Sequence, residues 1–329
     1  MTVQITIVGL GQIGASIGLA LAEQDDVLEC IGHDREIQTA RYAEKQGAVR
    51  RVEVNLPKAV RDADLIVLAL PVDQIRETME VIAPVLKEDC VVVDTGPIKE
   101  IVETWAAELL PPGRHYVGMT PVLNPAYLHT ADFGIVAARA DLFHGGLMAI
   151  VAPARTESGA IKLVSDLTRL VGATAFFADP VEMDGLMAAT HHLPQLMAAA
   201  LVNATVDQPG WREARKVAGK AYAEATGPLV HLDDTQALHA SVMMNRDNIV
   251  RVLDGTIAAL QAIRGDIDSK DGDALGERLL RARRSRLKWW AERDAGEWLS
   301  GGQSAVSLPE NPGILGRLFG VNRKSKSKS

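Results

Sequence analysis

Three glycines, Gly9, Gly11 and Gly14, follow the apolar run ITIV, and Asp34 closes the next apolar run, LECIGH. Each glycine at these spacings has a mechanical use. Gly9 permits a tight turn out of a strand, Gly11 lets the backbone approach a pyrophosphate, and Gly14 allows the following helix to pack closely. A helix starting near Gln12 and Ile13 then directs unpaired N–H groups and the positive end of its dipole at that anion. Asp34 suits the hydroxyls of an adenosine ribose, and its charge repels a 2′-phosphate, which favours NAD over NADP. Arg35 argues the other way, since a guanidinium there can hold that phosphate. The plainer alternative is a glycine turn in a doubly wound fold that has lost its ligand.

Three further loops follow predicted strands, where ligands bind in open α/β sheets. ALPVDQ (69–74) offers Leu70 and Pro71 to the cofactor. DTGPIKE (94–100) offers Gly96 to the cofactor and Pro97 and Lys99 to a substrate, and YVGMTPVLNP (116–125) offers Thr120. Downstream stand His191 and His192 in HHLPQ and Arg246 in NRDNI. His192 shares a small-residue face with Gly185, Ala188, Ala189 and Ala199, so it is either a packed helix histidine or a ligand-facing one. Pro194 cannot donate to the helix ladder and frees the carbonyl of Thr190, which predicts an irregular helix beside the two histidines. Arg246 falls on the stripe of Val242, Ile249, Leu253 and Ile257. A guanidinium on an apolar face needs an anion, either a substrate carboxylate or an internal Asp or Glu.

The elements that must position these residues show in the periodicity. Strand-like runs at Gln4–Val8, Leu28–Gly32, Leu65–Leu70 and Cys90–Asp94 alternate with helical patterns at 12–24, 36–46, 73–86 and 98–109. Such alternation predicts βαβ units around a mostly parallel, doubly wound sheet. Further strands are expected near 115–118, 134–138, 147–151 and 174–178, with a helix at 156–171. From Pro180 helical periodicity takes over, with Val242, Ile249, Leu253, Ile257 and Leu260 on one helix face. The division expected is a dinucleotide-binding domain at 1–179, an all-helical domain at 180–298, and a linker with a basic tail at 299–329. The long apolar stripes of the helical part predict burial against a second subunit, giving a homodimer.

Composition sets bounds on partners. The chain has 329 residues and a formal net charge of −7, which argues against nucleic acid as a main partner. Basic residues concentrate at 278–290, expected as a solvated helix face, and at 323–329. Residues 311–321 with the cations after them suggest a short helix able to touch an anionic membrane or a partner. The two cysteines, Cys30 and Cys90, fall in predicted core strands and suit buried thiols of a reducing compartment rather than a disulfide or metal site. No apolar run approaches the ~18–20 residues that cross a bilayer, and cytoplasmic residence with no metal is the expectation.

Along residues 3–290 the order and spacing of these segments resemble the prephenate/arogenate dehydrogenase family. The resemblance implies a Rossmann domain followed by a helical dimerisation domain, and an NAD(P)-dependent oxidative decarboxylation on the route to tyrosine. The substrate it implies is a cyclohexadiene dicarboxylate or its amino-acid-like counterpart. It also implies that His192, at the family's SHLP histidine, faces substrate, with His191 beside it, and that Arg246, at the family's RD arginine, pairs with a substrate carboxylate. Two departures stand out. Pro97 replaces the usual Ser of a D-x-G-S-x-K loop, and Thr120 stands where a G-H-P-M segment carries the catalytic His. A threonine hydroxyl hydrogen-bonds but cannot hold a proton at neutral pH. Three possibilities therefore stay open: a prephenate or arogenate dehydrogenase with His192 or Thr120 partly covering for the base, a relative oxidising 4-amino-4-deoxyprephenate, or a catalytically weak NAD-binding protein serving regulation or assembly.

Overall fold

The computed structural model describes residues 2–296 apart from 25, 131 and 231–234. It divides into two compact units that meet in sequence between Pro180 and Val181. The tail expected to touch a membrane, residues 311–321 with the cations after them, and the linker before it lie outside the described residues.

The first unit alternates strands and helices. Its order is β1 (Val3–Val8), α1 (Gln12–Leu21), β2 (Leu28–His33), α2 (Ile37–Lys45), β3 (Arg51–Val52), α3 (Leu56–Val60), β4 (Leu65–Leu68), α4 (Val72–Ile82), β5 (Val91–Asp94), α5 (Glu100–Leu109), β6 (His115–Val122), β7 (Leu147–Val151), α6 (Ser158–Leu170) and β8 (Thr174–Phe177). The strands form one sheet in the order β3-β2-β1-β4-β5-β6-β7-β8. Neighbours run parallel except β6 and β7, which are antiparallel. Strands β4 (LIVL) and β5 (VVVD) are buried along their whole length, as expected for a parallel sheet covered on both faces. Strand order reverses at β1, which has β2 on one side and β4 on the other. Ligands of such sheets bind beyond the carboxyl ends of the strands at that reversal.

Three details differ from the expected pattern. Residues 134–138 are not a strand: Gly134 takes φ +64 and opens a 3-10 turn, Gly134–Ala137. Ile135 packs on the core there, while Gln12 Nε2 reaches Ala137 O at 3.5 Å and Arg139 N donates to Ser16 Oγ at 2.9 Å. The apolar run GIVAA thus serves as a cover over α1, not as a ladder partner. The two-residue strand β3 lies at the sheet edge and is too short for periodicity to register. Strand β6 extends past the expected residue 118 to Val122, because β7 pairs with it from Gly118 to Val122.

The second unit is helical. It contains α7 (Pro180–Met187), a wide turn at Ala188–His192, α8 (Leu193–Val206), α9 (Trp211–Val217), α10 (Lys220–Thr226), α11 (Thr235–Met244), α12 (Arg246–Asp268) and α13 (Gly272–Ala295). The irregularity expected at Pro194 takes the form of a π turn, in which Leu193 N–H donates to Ala188 O, five residues back. Pro194 has no N–H to give and its ring crowds the preceding turn, so the wider turn absorbs it. The stripe read through Val242 is interrupted, because α11 and α12 are separate helices broken at Asn245. On the far side, Ile257 and Leu260 are exposed, as are Leu279, Leu280 and Leu287 of α13. The basic run is a solvated helix face, where Arg286 stacks on Trp289 and Trp290 at 4.7 and 4.9 Å.

Candidate functional site

In the first unit the glycine turn is locked by its neighbours on both sides. Gly9 has φ +91, and a Cβ there would stand 2.3 Å from Ala69 O, so the loop after β4 lies directly against it. Gly14 is packed more tightly still, with a Cβ position 1.9 Å from Gly9 O. Gly11 differs: a Cβ would meet nothing within 4 Å. Gly11 also supplies no side-chain cap to α1. The first-turn N–H groups of α1, from Gln12, Ile13 and Gly14, have no intrahelical acceptor. This is the cradle a diphosphate requires.

Asp34 stands at the end of β2, half-buried. Its Oδ2 accepts from Leu10 N at 2.7 Å and its Oδ1 from Glu36 N at 2.8 Å. Two backbone donors hold the carboxylate beside the glycine turn, and its remaining lone pairs are available to ribose hydroxyls. Arg35 next to it is exposed. Leu70 and Pro71 follow β4, half-buried and exposed, and Pro71 leads into α4.

The loop after β5 is tied down from within. Asp94 and Lys99 are both fully buried, with Lys99 Nζ 2.6 Å from Asp94 Oδ1. Asp94 Oδ1 also accepts from Gly96 N at 2.9 Å, and Oδ2 accepts from Tyr116 OH at 2.6 Å. Thr120, 3% exposed, donates its hydroxyl to Gly96 O at 3.0 Å. Gly96 is buried and Pro97 half-buried at the bend of this loop. Sequence reasoning placed Lys99 and Thr120 toward a substrate. The structure pairs the lysine's ammonium with Asp94 and the threonine's hydroxyl with Gly96 O. Asp94 and Tyr116 were not singled out, and Tyr116 lies 22 residues away from its partner, beyond any local pattern.

In the second unit the two histidines part ways. His192 is fully buried: Nε2 lies 2.6 Å from Ser241 Oγ, and Nδ1 lies 3.2 Å from Met187 O. The carbonyl can only accept, so Nδ1 carries the proton and Nε2 accepts from the serine. Burial lowers the His192 pKa to about 4, and the neighbouring His191 adds to the effect. The ring is neutral at physiological pH with both nitrogens engaged. His191 sits at the exposed side of the same turn, edge-on to His192 with centroids 5.1 Å apart. Although its surface is open, crowding by protein atoms lowers its proton affinity too.

Arg246 corrects its expected setting. It opens α12 and is exposed, with NH1 2.6 Å from Asp247 Oδ1. At the first position of the helix its guanidinium reaches solvent, so no buried anion is needed. Asn245 itself is buried, donating to Asp184 O at 2.8 Å and accepting from Asn248 Nδ2 at 2.9 Å. Ser241 is buried as well, and Asn248 is half-buried. Among the described residues there is no group of three metal-ligating side chains.

Comparison with known proteins follows the same division. Residues 17–177 match the model of the prephenate dehydrogenase nucleotide-binding domain, and residues 179–281 match that of the prephenate dehydrogenase dimerization domain. The chain belongs to the prephenate dehydrogenase family. As a family member it is an NAD(P)-dependent dehydrogenase. A prephenate dehydrogenase of Bacillus subtilis is 25% identical over 332 residues, covering 96% of this chain and 84% of the relative. A cyclohexadienyl dehydrogenase of Zymomonas mobilis is 26% identical over 293 residues, covering 88% of this chain and 97% of the relative. The fold also matches a crystal structure of prephenate dehydrogenase from A. aeolicus in complex with hydroxyphenyl propionate and NAD+. The TM-score is 0.77 at 21% identity, covering 88% of this chain and 98% of that one. Among the described residues no helix is long and apolar enough to cross a membrane.

Proposed function

We propose that this protein uses NAD+ to oxidise prephenate or arogenate with loss of carbon dioxide, leaving an aromatic ring. The observation that carries the cofactor half is the open space at Gly11, with Asp34 held by the backbone N–H of the preceding residue, Leu10. Family membership carries the substrate class. NAD+, when bound, supplies the hydride acceptor. Gly11 and the first turn of α1 hold its diphosphate, and Asp34 takes the adenosine ribose, which disfavours a 2′-phosphate. Arg246 is exposed and pairs with Asp247, its own neighbour, so its guanidinium can exchange that partner for a substrate carboxylate. Leu70, Pro71, Gly96 and Pro97 frame the loops at the strand ends.

Proton removal is the step these residues serve least. His192 has no free nitrogen, and Thr120 has given its proton to Gly96 O. Thr120 retains lone pairs that accept a hydrogen bond from the reacting group, but it cannot take the proton away. This observation favours one second reading. An amine in place of the ring hydroxyl lets its nitrogen lone pair drive hydride departure without a resident base, as in oxidation of 4-amino-4-deoxyprephenate.

Absorbance at 340 nm with NAD+ and each of prephenate, arogenate and the amino analogue decides among these. Turnover of either of the first two supports the main reading, and turnover of the amino analogue alone supports the second. NAD+ binding without turnover of any refutes both. We further propose a homodimer through the helical unit, supported by the exposed Ile257, Leu260, Leu279 and Leu287 and by the matched dimerization domain. Light scattering that returns a monomer mass overturns it.

A further inference from the structure

We propose that Lys99 is a positioning residue, which with Asp94 and Tyr116 fixes the loop after β5 against the reacting end of the cofactor. The inference rests on the reading above that NAD+ is the oxidant. Asp34 marks the adenosine side of the strand reversal, on β2, so the nicotinamide end falls toward β4, β5 and β6. The loop 95–98 crosses there.

Side-chain hydrogen bonds hold this loop. Lys99 Nζ reaches Asp94 Oδ1 at 2.6 Å and Asp94 O at 3.4 Å, which closes residues 94–99 into a side-chain-bridged ring. Gly96 N donates to Asp94 Oδ1 inside that ring at 2.9 Å. Tyr116 OH holds the other carboxylate oxygen at 2.6 Å, and Thr120 holds Gly96 O at 3.0 Å. The lysine stem passes over β6 at Gly118, where a Cβ would stand 2.7 Å from Lys99 Cδ. Glycine at 118 is what admits the stem.

A buried ion pair is weak as a source of stability, since removing two charges from water roughly offsets their attraction. What it supplies is geometry: a single orientation for the Thr95–Gly96–Pro97 peptide planes. Displacing a reacting group by ~1 Å costs about 100-fold in rate. Thr120 is itself tied to this loop through Gly96 O, so what it can offer a reacting group depends on where the loop is held.

The test compares Lys99→Met, Tyr116→Phe and the double variant Asp94→Asn/Lys99→Met, which removes both buried charges together. Amide hydrogen exchange at Gly96 is read without substrate, and kcat, KM and the NAD+ dissociation constant are read with it. Positioning predicts Gly96 exchange faster by about 10-fold or more in every variant. It also predicts kcat lower by about 10- to 100-fold, with KM and NAD+ binding within about threefold. A Lys99→Met protein with intact kcat, unchanged Gly96 exchange and a KM raised tenfold or more overturns the proposal, for then the ammonium meets the substrate. Should that variant fail to fold, wild-type exchange and kcat in the double variant overturn it equally. If the wild type turns over no candidate substrate, the functional reading falls while Gly96 exchange still decides the role of the network.

Discussion

Gly11→Ala separates a glycine kept for the fold from one kept for a ligand. Backbone angles at Gly11 are φ −70 and ψ −161, open to any residue, and an added methyl meets no protein atom within 4 Å. Replacing an N-cap glycine by alanine costs about 0.5–1 kcal/mol, and the lost freedom of the unfolded chain offsets about the same amount. The free protein should therefore melt at nearly the wild-type temperature. With NAD+ the methyl occupies space that a diphosphate needs, and losing one charged hydrogen bond removes about 1.5–3 kcal/mol, a weakening of roughly 10- to 150-fold. At a concentration near 100 wild-type Kd, NAD+ stabilises the wild type by about 2.7 kcal/mol, and a 100-fold weaker variant gains only about 0.4 kcal/mol. For a unit of this size that is a melting shift of about 5–10 °C reduced to about 1 °C. Differential scanning fluorimetry with and without NAD+ reads both quantities. Gly14→Ala is the contrast: its Cβ would lie 1.9 Å from a backbone oxygen, so it should unfold the protein without ligand. A Gly11→Ala protein that keeps the full NAD+ shift refutes the cradle.

Asp34→Ala should lower kcat/KM for NAD+ relative to NADP+ by about tenfold or more, since one charge-assisted partner of the ribose is gone; an unchanged ratio removes Asp34 from cofactor choice. Arg246→Ala should raise the substrate KM about 10- to 100-fold with NAD+ affinity and melting temperature unchanged, because the side chain is exposed; if KM is also unchanged, Arg246 is not the carboxylate anchor. Thr120→Val should lose about 0.5–1.5 kcal/mol of stability through the vacated Gly96 O, read by urea denaturation, and Thr120→Ser should restore it. For His192 the folded pKa of about 4 lies below an unfolded value of about 6.5. The unfolded chain thus binds more protons between those limits: stability is fully present above the higher value and is lost, by up to about 3 kcal/mol, as pH falls toward the lower. Urea midpoints of His192→Gln across that window should show a flatter slope, and an equal slope would place the titration elsewhere.

Much of the sheet is legible because parallel strands buried on both faces must be apolar runs, and ITIV, LIVL and VVVD are unmistakable as such. GIVAA at 134–138 has the same composition but ends up as a cover, since apolar runs that short do not distinguish a strand from a packed turn. Val242 and Ile249 are seven residues apart, so they hold helical phase across the break at Asn245 and hide it. The glycine turn is readable because its three glycines stand at fixed short spacing between a strand and a helix. Lys99 and His192 are not: His192 meets Ser241, 49 residues away, and the carboxylate that pairs with Lys99, Asp94, is itself held by Tyr116 from another strand, 22 residues away. Residue type alone shows a cation or an imidazole available for chemistry, and only packing shows whether it has already been used.

The π turn at Ala188–His192 makes the chain before and after it keep different time. A regular helix advances about 100° per residue, so the widened turn offsets every later side chain of α8 from where an unbroken continuation of α7 would aim it. Excising a single residue from 188–192 would rewind the segment and swing α8 about its axis by roughly that angle. The bond from Thr205 Oγ1 to Tyr222 OH, now 2.8 Å, would be dismissed along with the inward setting of His192. This one irregularity is an index mark for the helical unit, and length changes there should be far less forgiving than substitutions.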